Sequence, residues 1–313
     1  MQFIDLHSDY LYKTYKNEEQ SFFQSNLEKL TKGNCMLQTF AILFNRYEEK
    51  NLLNYYERIL EIFKQFLNDN ASKIVQVKNY NDIKKNIEEG KISALLSLED
   101  SQILCESDEN IEKLYKDGVR IAGLLWDGEN DFGYSYKEAN GALKKKGIET
   151  IEKLEDIGMI IDVSHLSDKG FDDVVKYSKK PFIATHSNAR SLTNHHRNLT
   201  DENLKTLAKM GGLIGINFFA KYIDLYEISE NSNSKIEYII AHIKHIINCA
   251  GEDCIAFGCD FDGIPDFSIS KMEIKDAAMF STLYNKMEKE FPDRILEKIF
   301  YKNALNFFKN NLK

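Results

Sequence analysis

Short apolar runs alternate with longer amphipathic, charged segments along the whole chain. The runs are mostly short and are bounded by polar residues, which fits strands that are buried on both faces in a parallel sheet better than amphipathic hairpins. Eight such runs are visible, and we predict a strand at each of them: 3–6, 36–44, 92–98, 119–126, 159–163, 182–185, 213–218 and 255–258.

The segments between the runs carry a helical period. Residues 52–67 place Leu53, Tyr56, Leu60 and Phe63 on one face of a helix, and residues 236–249 and 278–287 behave similarly. Strand and helix therefore alternate, which predicts a (β/α)8 barrel of the TIM type, with a doubly wound open sheet as the alternative. Only three prolines and no Gly/Ser-rich linker occur, so residues 1–313 are predicted to form a single domain.

Composition narrows the class of protein. The chain of 313 residues is 43% hydrophobic and carries a formal net charge of -8 without a Lys/Arg block, which argues against a nucleic-acid surface. No run approaches the ~18 apolar residues that cross a bilayer, and no secretory signal is recognisable, so we expect a cytoplasmic location without membrane contact. The five cysteines are predicted to be reduced; a structural zinc bound by Cys249, Cys254 and Cys259 is a weak alternative, because their spacing matches no common thiolate pattern.

Residue types that bind metal ions recur where the predicted strands end. In a barrel these ends meet on one face, where the active sites of this fold are built. Two ligands at i and i+2 of an extended segment point the same way, and imidazole mixed with carboxylate suits zinc and also admits manganese or cobalt. The sequence therefore predicts a metal site formed by His7, Asp9, Glu99, His165 and His186, with Asp260 at the same face.

The other four histidines are not predicted to bind this metal. His242 and His245 lie inside a predicted helix, where a packing or solvent role is expected. His195 and His196 lie in a loop, where at most a supporting or substrate contact is expected.

At these residues the chain resembles the membrane (renal) dipeptidase family, peptidases of the amidohydrolase superfamily, over nearly its whole length. The matching segments follow the order of the family: IDLHSD (4–9), LSLED (96–100), LLWDGEN (124–130), IDVSHLS (161–167), ATHSNAR (184–190), HHRNLTDE (195–202), IGINF (214–218) and GCDFDGI (258–264).

The resemblance implies a zinc-dependent dipeptidase with two zinc ions. It implies that His7 and Asp9 bind one zinc, that His165 and His186 bind the other, and that Glu99 bridges them; a water between the ions would be the nucleophile.

The resemblance also implies how the substrate is held. Arg197 would grip the terminal carboxylate, while Asp260 would hold the amino group and shuttle a proton. Asp262 is expected to be structural. The substrates would be small dipeptides, with a D-residue tolerated at the carboxyl end. A homodimer is compatible with the family, although no interface is visible in the sequence.

The sequence departs from the family pattern at two places near the expected site. Trp126 and Asp127 stand where animal relatives have a histidine that polarises the scissile carbonyl, followed by asparagine. Trp126 can donate one hydrogen bond to a substrate but cannot act as an acid or a ligand. Asp100 follows Glu99 where the family usually has glycine.

Two alternative functions remain at this point. A lactonase, phosphotriesterase or deaminase could use the same barrel, but such enzymes usually open with His-x-His, whereas this chain has His7-x-Asp9. A catalytically silent barrel that binds a metal is the second alternative, and Trp126 and Asp100 are the observations that favour it.

Overall fold

The computed structural model describes residues 1–138 and 140–313, and in them eight parallel strands form one sheet flanked by helices. All of the pairings between named strands are parallel. The strands are β1 (Phe3–Asp5), β2 (Cys35–Leu43), β3 (Ile74–Gln76), β4 (Ile92–Glu99), β5 (Val119–Gly123), β6 (Ile160–Asp162), β7 (Ile214–Ile216) and β8 (Ile255–Phe257).

Helices follow the strands along the chain, and several begin at a side-chain cap: Asn51, Ser107, Ser167 and Thr200 each accept a hydrogen bond from a backbone N–H in the first helical turn. The helices are α1 (Tyr10–Tyr15), α2 (Leu27–Lys32), α3 (Leu52–Asp69), α4 (Tyr80–Glu88), α5 (Gln102–Glu106), α6 (Asp108–Asp117), α7 (Lys145–Ile157), α8 (Asp168–Tyr177), α9 (Asp201–Lys209), α10 (Ala220–Ile223), α11 (Ile236–Ala250), α12 (Asp266–Ile269), α13 (Phe280–Met287), α14 (Asp293–Glu297) and α15 (Asn303–Asn311).

The strand order is β6-β5-β4-β2-β1-β8-β7, and β3 pairs with the first three residues of β4. The segment 182–185 lies between the two ends of this order. Ile183 forms backbone hydrogen bonds with Ile161 of β6 and with Val163 just after it. Ala184 forms them with Leu213 and Gly215 at β7. The sheet therefore curves so that β6 and β7 are both within hydrogen-bond reach of one short segment.

The predicted strands agree with seven of the eight observed ones. The remaining predicted strand, 182–185, forms only isolated β-bridges, because each of its neighbouring strands has just three residues to pair with it. β5 ends at Gly123, so Trp126 lies in the following loop instead of in a strand. β3 was not predicted, since three residues that pair along one side leave little pattern.

Both faces of the sheet are buried. Alternate strand residues such as Ile4, Leu37, Leu95 and Ile121 pack together and against Phe308 of α15. The strand residues that point to the other face of the sheet, which include Phe3, Phe40 and Leu96, pack against the surrounding helices. This two-sided burial explains why the strands appear in the sequence as continuous apolar runs. Within the described residues, no helix is both long and apolar enough to cross a bilayer.

His242 of α11 is fully buried and ties that helix to the loop after residue 186. Its Nδ1 accepts a hydrogen bond from the backbone N–H of Ala189 (3.1 Å), and its Nε2 lies 3.2 Å from the Thr193 hydroxyl, which itself donates to the carbonyl of Asp224. This arrangement requires a neutral ring with its proton on Nε2. Burial lowers the pKa of His242 to about 3.

We predict that His242 lowers the stability of the protein in acid. The unfolded chain binds a proton at the ordinary histidine pKa of 6.5, and the folded protein binds it only near 3. Between these values the unfolded state carries more protons, so the free energy of unfolding should fall with decreasing pH by up to about 1.4 kcal/mol per unit. Urea unfolding of metal-free wild type and His242→Gln should show a steeper slope in the wild type, by up to this amount, because the other buried histidines contribute equally to both proteins. The same change at exposed His196 should leave the slope intact; an equal slope in His242→Gln would contradict the assignment.

Candidate active site

Three histidines and three carboxylates meet at the carboxyl ends of the strands. His7 and Asp9 flank Ser8, whose carbonyl accepts a hydrogen bond from the backbone N–H of Ala41, while the backbone N–H of Asp9 donates to the carbonyl of Phe261. Ser8 therefore forms a β-bridge with Phe261, and the side chains on either side of it leave the chain on the same side. Glu99 is the last residue of β4. The other members follow strands or the bridging segment by one to three residues: His165 after β6, His186 after residue 185 and Asp260 after β8.

The Glu99 carboxylate is at the centre of the cluster. Its Oε2 lies 3.2 Å from Nε2 of His7, and its Oε1 lies 2.8 Å from Nε2 of His165 and 3.7 Å from Nε2 of His186. The Nε2 atoms of His165 and His186 are 3.1 Å apart, and the rings of His7 and His186 stack with centroids 3.7 Å apart. The structure thus brings together residues from four distant parts of the chain.

Asp9 and Asp260 extend the cluster beyond His7. Nε2 of His7 is 3.4 Å from Oδ2 of Asp9 and 3.9 Å from Oδ1 of Asp260. Oδ2 of Asp260 accepts a hydrogen bond of 2.9 Å from the Asn217 side chain, which fixes the carboxylate. Gly263 lies so close that a Cβ there would collide with the carboxylates of both aspartates. Glycine is therefore required at this position for both acids to fit.

The backbone is strained where it delivers these side chains. His165 (φ 70°), Asp260 (φ 64°) and the neighbouring residues Asp100 (φ 64°) and Asp262 (φ 70°) adopt left-handed conformations. A non-glycine residue in this region is uncommon, and such residues concentrate at functional sites. The surrounding sheet holds the chain in turns that direct the two site residues into the cluster.

Hydrogen bonds behind the cluster set the tautomer of His186. The hydroxyl of Thr185 donates to Asp162 Oδ2 (2.6 Å), so it accepts from Nδ1–H of His186 (2.7 Å). Nε2 of His186 is then an unprotonated nitrogen that faces Glu99 and His165. Asp162 is itself fixed by backbone N–H groups of Ser164 and Thr185. This is the arrangement that typically orients a metal-binding histidine.

Burial and mutual charge shift the pKa values of the cluster. Burial, together with the Asp9 charge, raises the pKa of Glu99 to about 8, and burial raises the pKa of Asp260 to about 6. The pKa values of His165 and His186 are held well below the usual range, chiefly by burial. Burial would also lower the pKa of His7, but the charges of Glu99 and Asp9 outweigh it and raise that pKa.

The side chains fit one or two divalent cations. Two sets of donor atoms lie within 4.8 Å of one another, His7–Glu99–His186 and His7–Asp9–Asp260. Nε2 of His7 and Oδ1 of Asp9 are buried without a hydrogen-bond partner in the described structure. Unpaired buried nitrogen and oxygen atoms are costly, and a cation would satisfy both while neutralising the excess of carboxylates. The donor set of imidazoles and carboxylates is one that zinc uses.

A cavity of about 440 Å³ opens onto the cluster, a volume within the range of sites for small ligands. Asp9, Glu99, His165 and Asp260 contribute to its lining. Its other walls include Trp126, Tyr136, Phe219, Tyr222 and Pro265. Trp126 therefore lies at the cavity, as its expected role in substrate binding requires.

Arg197 lies beside this cavity and is almost fully buried. Its Nη1 donates to the Ser187 hydroxyl (2.9 Å), but its Nε and Nη2 have no hydrogen-bond partner among the described residues. The guanidinium borders a void of about 10 Å³ that shares His165 with the main cavity, and it lies 5.9 Å from the Tyr222 ring. A buried guanidinium with two unused donors is suited to bind a planar anion such as a carboxylate.

The sequence of the chain was compared with those of known proteins. The profile described as membrane dipeptidase (peptidase family M19) matches residues 1–312. The chain belongs to the membrane dipeptidase family. A Klebsiella pneumoniae protein known as the uncharacterized protein in the pqqA 5′ region is 31% identical over 261 residues, which cover 80% of this chain and 94% of that protein. An uncharacterized dipeptidase of Schizosaccharomyces pombe is 34% identical over 181 residues, 56% of this chain and 43% of the yeast protein.

The fold of this chain is also found in solved structures. A metallopeptidase from Rhodobacter sphaeroides, crystallised with a phosphinate mimic of the dipeptide L-Ala-D-Ala, superposes with a TM-score of 0.90. It is 20% identical, and the match covers 99% of both chains. The fold of this chain is therefore that of an α/β metallo-dependent hydrolase, and the resemblance noted from its motifs is confirmed.

Asp100, which replaces the usual glycine of the dipeptidase family, is buried and paired. It accepts hydrogen bonds from Arg46 Nε (2.5 Å) and Asn130 Nδ2 (2.8 Å). Arg46 also donates to the backbone carbonyls of Asp127 and Glu129. Asp100 therefore does not face solvent: through Arg46 and Asn130 it fixes the loop that carries Trp126.

The remaining residues singled out in the sequence have other partners. Asp262 accepts hydrogen bonds from the backbone N–H groups of Gln24 and Ser25, which agrees with a structural role. Among the described residues, the three thiols considered for a structural zinc do not converge: Cys254 donates to backbone carbonyls, and Cys259 is buried beside Asp5. His195 accepts a hydrogen bond from the backbone N–H of Arg197, a supporting contact.

Several residues that shape the site were missed in the sequence. Asp5 is fully buried and accepts backbone hydrogen bonds from Cys259 (2.9 Å) and His7 (3.4 Å), which joins the chain after β1 to the chain after β8. Asp162, Asn217 and Tyr222 were also missed. An acid inside an apolar run, as in IIDV or FIDL, is the signal that could have identified Asp5 and Asp162.

We predict that Asp100→Ala lowers the free energy of unfolding by about 3 kcal/mol, because it leaves Arg46 without its buried partner. Asp127→Ala is the matched control: Asp127 pairs with half-exposed Lys137 and should cost at most about 1 kcal/mol. Urea unfolding of both variants measures the difference. Equal losses in the two variants would show that the Arg46–Asp100 pair has no special structural role.

Proposed function

We propose that this chain is a zinc-dependent dipeptidase that hydrolyses the peptide bond of small dipeptides. The observation that carries the proposal is the convergence of three imidazole Nε2 atoms on the Glu99 carboxylate, next to a buried guanidinium with unused donors. The first can hold metal ions, and the second can hold a carboxylate. Together they account for both requirements of the reaction.

In this proposal the strands form a closed (β/α)8 barrel. Two zinc ions would bind at the carboxyl ends of its strands. His7 and Asp9 would hold one ion, His165 and His186 the other, and Glu99 would contact both through its two oxygens. The backbone hydrogen bonds of residues 183 and 184 to both ends of the strand order support closure of the barrel. Manganese or cobalt could replace zinc with the same donor set.

When bound, the metal pair supplies Lewis-acid activation of water and of the peptide carbonyl. The protein supplies the orientation. Thr185 and Asp162 hold His186 in the tautomer that presents a free Nε2, while Asn217 holds Asp260 next to the cluster. Asp260, held at the edge of the cluster by Asn217, is placed to pass a proton to the departing amine. Trp126 would contact the substrate side chain and donate a hydrogen bond to the substrate through its indole N–H.

The substrate is proposed to lie between Arg197 and Asp260. Arg197 would bind the terminal carboxylate with its unused Nε and Nη2 donors, and Asp260 would bind the amino group. A ligand held at both charged ends has a fixed length, which favours dipeptides over longer peptides. A D-residue at the carboxyl end belongs to the same proposal; the Rhodobacter metallopeptidase was crystallised with a mimic of L-Ala-D-Ala. The cytoplasmic location and the homodimer stay predictions.

The direct test is hydrolysis of a dipeptide panel, with L- and D-residues at the carboxyl end, by protein saturated with zinc. Tripeptides, N-acetylated dipeptides, a lactone and paraoxon serve as comparison substrates. We expect turnover of free dipeptides only. Turnover of the lactone or paraoxon alone would favour a different hydrolase on the same fold, and bound zinc without any turnover would favour a silent metal-binding protein.

Glu99→Gln should remove most of the activity, on the order of 100-fold or more, and weaken binding of one metal ion. Glutamine keeps the shape of the side chain but loses the charge that faces three imidazoles. Metal content by elemental analysis and kcat on the best dipeptide measure the two effects. Asp127→Asn, an acid of the cavity wall that pairs with Lys137, is the matched control and should retain two metal ions. Wild-type turnover of Glu99→Gln would refute the bridging role.

Arg197→Met should raise KM for dipeptides on the order of 100-fold with a smaller effect on metal content, because charged hydrogen bonds to the substrate carboxylate are lost. The variant should no longer distinguish a dipeptide from its carboxyl-terminal amide, whereas the wild type should prefer the free acid. Arg190→Lys is the control: Arg190 lies on the same loop, but both of its Nη atoms bind Asp168. If Arg197→Met kept the preference for the free acid, Arg197 would not be the carboxylate site.

A further inference from the structure

A second group of metal-binding side chains lies outside the active-site cavity. Asp201 is the first residue of α9, and His245 and Cys249 are one turn apart on α11. None of the three lines the cavity that contains Glu99. All three are partly exposed, and their ligand atoms lie within 4.8 Å of one another.

The three side chains converge on one nitrogen. Oδ1 of Asp201 lies 2.8 Å and Sγ of Cys249 lies 3.3 Å from the same atom, Nε2 of His245. A thiol activated by a His–Asp pair would need the acid and the thiol on opposite nitrogens of the ring, because one nitrogen must receive the thiol proton while the other is held. The observed geometry excludes that relay. Convergence on one point is instead what ligands of a common ion show.

We propose that Asp201, His245 and Cys249 form a binding site for one divalent cation of the zinc class. Imidazole and thiolate at i and i+4 of a helix, with a carboxylate from a second helix, are donors that zinc prefers. Bond lengths of about 2.0–2.3 Å at a tetrahedral ion place ligand atoms about 3–4 Å apart, so the side chains need only small shifts. The site is open to solvent on the side of Ser191 and Glu202, which leaves room for water as a fourth ligand.

A cation at this position would join two helices and a loop. Oδ1 of Asp201 also accepts a hydrogen bond from the hydroxyl of Ser191 (2.6 Å), in the loop between His186 and Arg197. The ion would therefore brace the segment that carries Arg197 against α11. The site follows from these residues alone and does not depend on the proposed dipeptidase activity.

Cobalt(II) binding separates this site from the active-site cluster, because only this site offers a thiolate. Titration of the full chain with Co²⁺ should produce a thiolate-to-cobalt charge-transfer absorption that saturates at one ion per chain. Glu99→Gln should retain the band, and Cys249→Ser should lose it. Asn248→Ala, the adjacent position on α11, is the matched control and should retain the band. Absence of the band in the wild type, or its persistence in Cys249→Ser, would overturn the proposal.

A second measurement needs no variant. The other four cysteines are buried, so alkylation by iodoacetamide should modify Cys249 first in the metal-free protein. Excess Zn²⁺ should slow this modification at least about tenfold, as followed by peptide mass spectrometry, because a bound thiolate is no longer a free nucleophile. An unchanged rate of modification would show that the thiol, imidazole and carboxylate form only a hydrogen-bonded cluster.

Discussion

Charge within the buried cluster is the constraint on which the site depends. Three carboxylates and three imidazoles are packed at the carboxyl ends of the strands, and every one of these residues is buried except Asp260, which is partly so. Two of the imidazoles are held neutral, while Glu99 resists ionisation because of burial and its neighbour Asp9. A cation removes this conflict, because it stabilises the charged carboxylates and uses the free nitrogens at once. The arrangement therefore makes physical sense as a place for metal ions.

Two buried acids behind the cluster, Asp5 and Asp162, hold its side chains together although their charges conflict. Asp5 joins the backbone near His7 to that near Asp260, and Asp162 fixes Thr185 and, through it, the ring of His186. Both acids lie at strand ends, and Oδ1 of each accepts hydrogen bonds from two backbone N–H groups. Positive φ angles at His165 and Asp260 are tolerated because these contacts and the sheet determine the path of the chain. The stability of the sheet is thus what keeps the ligands together.

The strands and the cluster could be predicted from sequence because both follow local rules. Apolar runs mark strands buried on two faces, and parallel strands bring their carboxyl ends to one edge, so His7, Glu99 and His186 were expected to meet. Long-range pairing was not accessible in this way. The burial of Arg197, the Arg46–Asp100 pair and the convergence of Cys249 on Asp201 depend on loops and helix packing that periodicity does not encode. Residue type alone left the role of Asp100 open, because its partner Arg46 lies 54 residues away.

In the proposed dipeptidase, the opposite charges of the two sides of the site would select a short zwitterion. Arg197 is buried with two unpaired donors, and the carboxylate cluster lies beyond His165, which borders both voids. In the proposed complex a free carboxylate would bind the guanidinium and replace the hydrogen bonds it lacks, while an amino group would approach Asp260. In a longer peptide one of these ends is a neutral amide, which leaves a buried charge without its partner at a cost of about 1–3 kcal/mol or more. The proposed selectivity for short ligands would then follow from desolvation, because the site would penalise every ligand that cannot supply both charges.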